Sequence, residues 1–151
     1  MKPREHGTVN LSFPLDVQDG WPPVAVECLP FKTEDAGVRL LVAPLFVRGL
    51  SVGDVLECTI ESDTEHVTAW RHVTKSDHST FWLLRAGDER VLLDGLERLR
   101  SIGCSTVGVA QLGVFAVDVP GEVSMDTVDS ILDSLVERGF PVACPSSRHP
   151  E

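Results

Sequence analysis

The sequence is poor in positive charge and has no long apolar run. Its 151 residues contain 13 lysines and arginines against 23 aspartates and glutamates, which gives a net charge of −10. A nucleic-acid-binding protein needs a basic face to displace counterions from phosphates, so this class is excluded. No apolar run reaches the roughly 18 residues of a membrane span, which excludes a membrane protein. The charged N-terminus has no apolar segment behind it, so we expect no secretory signal and a cytoplasmic location.

Paired cysteine motifs are also absent. The four cysteines, Cys28, Cys58, Cys104 and Cys144, are far apart, and no two of them form a C-x-x-C pair. This spacing argues against a zinc site or a redox motif. Each cysteine lies in an apolar stretch, so we predict buried free thiols, a reducing compartment and no metal or cofactor. One disulfide or one metal site remains as the alternative.

Alternating apolar residues predict a β-rich half over residues 8–78. Val9, Leu11, Phe13 and Leu15 alternate with polar or neutral residues, which is typical of a half-buried strand. Four further β-branched stretches follow, separated by turn signals. Five short strands favour a small β-barrel or a strongly curved antiparallel sheet.

The pattern changes at Ser79. Asp88 and Ser124 are predicted N-caps of two amphipathic helices, each with strands before and after it. The resulting order β, α, β, β, α, β over residues 79–145 is that of a ferredoxin-like half, so the expected class is α+β. Residues 146–151 are expected to form a polar tail that frays.

The two strands expected at the centre of the second half are apolar on both faces. In the first of them, Phe81 and Leu83 point to one face while Trp82 and Leu84 point to the other. Helices can cover only one face of such a sheet. We therefore expect the other face to pack against the β-rich half or a second subunit, with Trp82 in the shared core.

Asp77, His78 and Ser79 bring the residue types of a catalytic triad together. Neighbours in an extended segment point to alternate sides, whereas a triad needs side chains that converge, and no G-x-S-x-G motif is present. His78 therefore remains a candidate for binding or catalysis beside a simpler role as a junction histidine bonded to backbone. Ser79 and Thr80 most simply begin the next strand.

Two further binding motifs are weak. His66, His72 and His78 recur every six residues, but six residues of strand span roughly 20 Å, too far for ligands of one metal ion. The RGLSVGD segment has two glycines but lacks the G-K-[ST] ending of a phosphate loop. It is better interpreted as a tight turn.

An apolar loop around Arg48 is the more informative feature of the first half. Such a loop must be buried or occupied, and Arg48 is its one cation, which we expect to be exposed and able to bind a carboxylate or phosphate. If Arg48 is buried instead, Glu27 or Asp54 is the expected counter-ion. These two carboxylates are also the ones whose pKa we most expect to be perturbed. Trp21, in DGWPP, is expected to anchor a turn onto the core.

Three segments carry a resemblance to a known family. FPLDVQDGWPPVAVECL, FVRGLSVGDVLE and SDHST resemble the bacterial family catalogued as domain of unknown function 4265, over roughly residues 9–138. The resemblance implies a small bacterial cytosolic protein and brings no activity. The positions that match the pattern are Trp21, Glu27, Arg48, Gly49, Asp54, His78, Ser79 and Thr80.

The leading hypothesis is a non-enzymatic binding protein, an accessory or immunity-type module that holds a protein or peptide partner. The negative charge favours a cationic partner, and a homodimer stays open. One alternative is a small hydrolase or transferase that uses His78 with Glu27 or Asp54 in a cleft between the halves. Another, a small-molecule sensor, rests on fold analogy. Convergence of Arg48 and these three residues on one pocket would favour the enzyme or the sensor.

Overall fold

The computed structural model describes residues 7–149, which form an α+β fold of two mostly antiparallel sheets and two helices. The first sheet contains five strands in chain order. They are β1 (Thr8–Pro14), β2 (Val26–Glu34), β3 (Gly37–Leu40), β4 (Val55–Ile60) and β5 (Val67–Thr74). These are the five strands that the alternation of apolar residues predicts.

The second sheet contains four strands and has two helices between them. The elements are β6 (Ser79–Leu84), α1 (Glu89–Ser101), β7 (Ser105–Val109), β8 (Val114–Val119), α2 (Met125–Glu137) and β9 (Val142–Ser146). The strands lie in the order β7-β8-β6-β9 and all pairs are antiparallel. No helix among the described residues is long and apolar enough to cross a membrane.

The first sheet is open, so the small-barrel alternative is wrong. Its edge strands approach each other at one isolated bridge, between Ser12 and His66. A barrel requires the edge strands to pair along a continuous ladder, and no such ladder joins β1 to β5 within residues 7–149. The apolar sides of the strands still enclose a core, in which the rings of Phe13 and Phe31 stack with centroids 5.8 Å apart.

The helices cover one face of the second sheet. The Asp88 carboxylate accepts the backbone N–H of Arg90 at 2.9 Å, which confirms the predicted cap of α1. Ser124 occupies the N-cap position of α2, but its hydroxyl makes no capping hydrogen bond, so this part of the prediction is wrong. Leucines of both helices pack on Phe81 and Leu83 in one buried cluster.

The opposite face of the second sheet packs against residues 41–54, the segment between β3 and β4, which we call the cleft loop. The hydroxyls of Thr80 and Ser51 are hydrogen-bonded at 2.9 Å, and the indole N–H of Trp82 donates to the Pro44 carbonyl at 2.7 Å. The two sheets therefore share an interface, as the two apolar faces of β6 predict. Trp82 is only half-buried there, because its ring lines a cavity rather than a filled core.

Two expectations about exposure are corrected. Cys28 and Cys144 are exposed, Cys58 is half-buried and only Cys104 is buried; the Cys28 side chain lies on the solvent side of β2, because its neighbours Glu27 and Leu29 point inward. All four thiols are free.

The expected polar tail is held in place from its first residue: β9 continues through Ser146, and Arg148 and His149 are both bonded to the body of the protein. Residues 150–151 lie outside the described residues.

Candidate functional site

Glu27 fixes the course of the cleft loop. Its carboxylate is 9% exposed and accepts three successive backbone N–H groups, from Leu45 at 2.6 Å, Phe46 at 2.9 Å and Val47 at 3.0 Å. A charged acceptor for three amides allows an irregular backbone to be buried without unsatisfied donors. Glu27 is therefore a positioning residue for the loop.

A cavity of about 620 Å³ lies between the two sheets. Its walls come from the end of β1, the DGWPP turn, the cleft loop, β5, β6, β8 and β9. We call it the cleft. It is lined by Phe13, Pro14, Leu15, Asp16, Trp21, Pro22, Leu45, Phe46, Val47, Arg48, Trp70, Trp82, Leu84, Val114, Pro141, Val142 and Ala143. All three tryptophans of the chain are among these residues.

Each tryptophan of the cleft has a ring contact or a hydrogen bond with a neighbouring residue. Trp21 is 49% exposed and meets the edge of Phe46 with centroids 6.0 Å apart. It forms part of the cleft wall, so the expectation that it anchors a turn in the core is wrong. Trp82 is held by its bond to Pro44, and the ring of Trp70 meets the edge of the His72 ring with centroids 5.3 Å apart.

Arg48 is exposed, as expected, and lies at the cleft. Its guanidinium carbon is 5.3 Å from the centroid of the Trp82 ring, which is a cation–π arrangement. The following residue, Gly49, has a φ of +81°, a conformation that favours glycine. The backbone turn at Gly49 therefore helps to carry the arginine over the ring.

Asp54 lies outside the cleft, at the centre of a buried polar cluster. It is 0% exposed and accepts two hydrogen bonds from the Arg148 guanidinium, at 2.8 and 2.9 Å, and one from His72 at 2.9 Å. The backbone N–H groups of Ser51 and Ser76 also donate to it. Burial alone would raise the pKa of Asp54, but these donors outweigh burial and lower the pKa to about 2.

Ser79 and His149 form a second contact of the tail. The Pro120 carbonyl accepts the Nε2–H of His149 at 2.9 Å, so the other ring nitrogen, Nδ1, accepts the hydroxyl of Ser79 at 2.7 Å. The Ser79 oxygen also accepts the backbone N–H groups of Arg148 and His149. Ser79 is 1% exposed, so this serine–histidine pair is closed to a substrate and holds the tail.

His78 is bonded to a different carboxylate from those expected. Its Nδ1 lies 2.8 Å from Asp118 on β8, which is 4% exposed. Burial raises the pKa of Asp118, and the hydrogen bond from His78 opposes part of that increase. Neither Glu27 nor Asp54 is bonded to His78.

The predicted site residues therefore separate into two places. Trp21 and Arg48 line the cleft, with Glu27 behind its loop, while Asp54, His78, Ser79 and Thr80 lie in the junction between the sheets. Thr80 is 0% exposed and is bonded to Ser51, whose hydroxyl also donates to Ser146 at 2.9 Å. Arg48, Glu27, Asp54 and His78, whose convergence on one pocket would favour an enzyme or a sensor, do not converge: only Arg48 lines the cleft. Among residues 7–149, no cluster of three or more histidines, cysteines and carboxylates is arranged to hold a metal ion.

Sequence reasoning missed several contributors to both places. Trp70 has the pattern of an ordinary strand residue, and Arg148 and His149 have that of a fraying tail. Phe46, in contrast, belongs to the apolar loop that the sequence marks as buried or occupied. The other available signal of the cleft in the sequence was its three tryptophans. Three large rings are more than the two hydrophobic cores bury. The role of the tail had no local signal, because its partners are 29 to 99 residues away.

The fold resembles that of a solved structure described as "Novel crystal structure of a hypothetical protein from Neisseria gonorrhoeae". The two match with a TM-score of 0.68 at 14% sequence identity. The match covers 95% of this chain and 98% of that one, and at this identity it shows the fold alone. A search of curated proteins gave no match.

A comparison with known protein families finds a match over residues 27–142. They match the family described as "Domain of unknown function (DUF4265)", a description that assigns no activity. The matched segment begins at the glutamate that fixes the cleft loop, includes Arg48, β6, β7 and β8, and ends at Val142, the first residue of β9. The chain belongs to the DUF4265 family.

Proposed function

We propose that this chain is a non-enzymatic binding protein that receives a compact apolar ligand in the cleft. The observation that carries the proposal is the cavity of about 620 Å³ lined by all three tryptophans. Cavities of roughly 300 to 1,000 Å³ with aromatic walls and few polar groups are typical of small-molecule sites. Arg48, Glu27, Asp54 and His78 do not converge on one pocket, so their placement favours a binding protein over an enzyme, and the size and aromatic lining of the cleft favour a small molecule as its ligand.

The cleft is held open by the folded protein itself. Glu27 fixes the backbone of its loop, and the bond from Trp82 to Pro44 joins that loop to the second sheet. A site that is formed before binding avoids the entropy cost of ordering loops and side chains around the ligand. These positioning contacts support a binding role for the cleft.

The titratable side chains support binding rather than catalysis. Asp54 has five donors, His78 is paired with Asp118, and the Ser79 hydroxyl is buried against the tail. A catalytic base or nucleophile must reach a substrate, whereas each of these groups is engaged by its own partners and none of them lines the cleft. The cleft itself contains one arginine and one aspartate as ionisable side chains.

A neutral fluorescent probe tests the proposal. N-phenyl-1-naphthylamine is uncharged at neutral pH and accepts excitation energy from tryptophan, so bound probe should emit when the three tryptophans are excited. Ala143→Phe places a ring in the cleft from an exposed position, and Ala69→Phe places one on the solvent side of β5, outside the cleft. We expect saturable binding that Ala143→Phe weakens at least about tenfold and Ala69→Phe leaves unchanged. Absent binding, or equal binding by both variants, overturns the proposal.

An extended peptide is the second candidate occupant. β9 pairs with β6 on one side, and among the described residues no strand pairs with its other edge, while Val142 and Ala143 line the cleft. A peptide added to that edge would place apolar side chains in the cleft, as in strand-addition complexes. In a homodimer, a second copy of the chain would supply the strand that pairs with this edge.

We also propose finer assignments for the fold and location. The central position of β6 and β8, with both helices on one face, supports a ferredoxin-like second half. Four free thiols, two of them exposed, support a reducing cytoplasmic location. The neighbour from Neisseria supports a bacterial origin.

A further inference from the structure

The ionisable side chains of the cleft are one cation and one acid. Asp16 accepts the side-chain amide of Gln18 at 3.0 Å, whereas Arg48 makes no ion pair or hydrogen bond with any residue from 7 to 149. Arg48 is thus the one cation among the residues that line the cleft, in a chain with a net charge of −10, and its guanidinium is not neutralised by a carboxylate of residues 7–149.

The contact with Trp82 leaves the binding groups of Arg48 available. The guanidinium carbon lies over the Trp82 ring, and none of the five N–H donors of Arg48 is hydrogen-bonded to a residue from 7 to 149. Packing against the ring also restricts the long arginine side chain, which reduces the entropy lost when a ligand is bound. The fork of donors matches the two oxygens of a carboxylate.

We infer that the ligand of the cleft is an amphipathic monocarboxylate, a compact apolar body between Trp21, Trp70 and Trp82 with its carboxylate on Arg48. The inference rests on the proposed function, because it names the chemistry of the ligand in the same cleft. A single charge is specified because one guanidinium neutralises one carboxylate. A phosphate with two charges would face the Asp16 carboxylate and the negative field of the whole protein with the same single cation.

Four probes with the same naphthyl body separate the charge from the apolar contact. They are 2-naphthylacetate, 2-naphthylacetamide, 2-(2-naphthyl)ethylamine and 2-naphthyl phosphate, each titrated calorimetrically into the folded protein. We expect the carboxylate to bind at least about tenfold tighter than the amide, as expected for a charge-assisted hydrogen bond. The amine and the phosphate should bind more weakly than the carboxylate.

Variants assign the preference to Arg48. Arg48→Met keeps an apolar side chain over Trp82 and removes the charge, so it should abolish the tenfold preference while the affinity for the amide changes less than about threefold. Arg138→Met, at an exposed arginine after α2 on the helical side of the second sheet, should retain the preference.

Each outcome has one meaning. Equal affinity for acid, amide and amine, or a preference for acid that survives Arg48→Met, overturns the carboxylate and leaves the cleft as an apolar binding site. A preference for the amine or the phosphate overturns it as well. If none of the four probes and no N-phenyl-1-naphthylamine binds, the proposed function fails and this inference fails with it.

Discussion

The buried pair between Asp54 and Arg148 gives the sharpest prediction of stability. Arg148 is 12% exposed in its side chain and Asp54 is 0% exposed, and the guanidinium also donates to the carbonyls of Ser76 at 2.9 Å and Gly49 at 3.3 Å. Removing one partner of a buried pair typically costs about 3–5 kcal/mol, because the other charge remains buried. In Arg148→Met, Asp54 keeps His72 and two backbone donors. We therefore expect a loss near the lower end, about 3 kcal/mol.

Urea denaturation monitored by circular dichroism measures this loss. For a chain of this size about 3 kcal/mol corresponds to a melting temperature lower by about 6–12 °C. Arg138→Met, which removes an exposed arginine, is the matched control and should change the free energy of unfolding by less than about 0.5 kcal/mol. A loss in Arg148→Met as small as in the control would show that the tail does not join the two sheets.

The same difference should depend on pH. The pKa of Asp54 is lowered from 3.8 to about 2 in the folded protein, so the stability that it contributes is present above pH 3.8 and is lost as the pH falls toward 2. The shift corresponds to about 2 kcal/mol at neutral pH and about half of that at pH 3. The raised pKa of Asp118 has the opposite effect, but it is common to both proteins and cancels in their difference. A difference between parent and variant that stays constant from pH 6 to pH 3 would contradict the assignment.

Three further predictions concern the cleft and the thiols. Trp82→Phe removes the donor to the Pro44 carbonyl but keeps a ring, so denaturation should show a loss of about 1–2 kcal/mol, less than the ~3–5 kcal/mol of a core tryptophan truncated to alanine. Arg48→Ala should leave the melting temperature within about 3 °C, because the side chain is exposed; an unfolded variant would remove it from the functional residues. Thiol titration of unreduced, denatured protein should find four free thiols. In the native protein Cys28 should react first, whereas Cys104 should react only on unfolding, because it is buried and its pKa is raised to about 11.

Local patterns were sufficient to predict the elements and insufficient to predict the site. The alternation in β1 and the cap at Asp88 depend on neighbours within a few residues, and both are found where expected. Predictions of whether a single side chain is buried or exposed were wrong more often. Cys28 follows the buried Glu27 in β2, and the alternation of the strand places Glu27 on the inward face with Leu29 and leaves Cys28 on the solvent face.

The polar residues of the junction show why the candidates could be recognised but not assigned. Sequence alone singled out Asp54 as a carboxylate whose pKa should be perturbed and His78 as a candidate for binding or catalysis. In the structure the pKa of Asp54 is lowered to about 2, and His78 is bonded to the buried Asp118. Their partners are Arg148, 94 residues from Asp54, and Asp118, 40 residues from His78. No periodicity connects positions so distant, so sequence reasoning paired His78 with Glu27 or Asp54, the two carboxylates that it had singled out, rather than with Asp118.

The cleft and the junction are joined through one loop. Glu27 holds the cleft loop at Leu45 to Val47, and Arg148 holds it at Gly49, on either side of Arg48. Because the exposed guanidinium lies between two fixed stretches of backbone, its position over Trp82 is set by contacts that a ligand need not touch. The loss of the Arg148 contacts should therefore weaken the carboxylate preference of the cleft as well as stability, even though Arg148 does not line the cavity. A folded Arg148→Met protein that prefers 2-naphthylacetate over the amide as strongly as the parent would separate the two sites and confine the tail to a structural role.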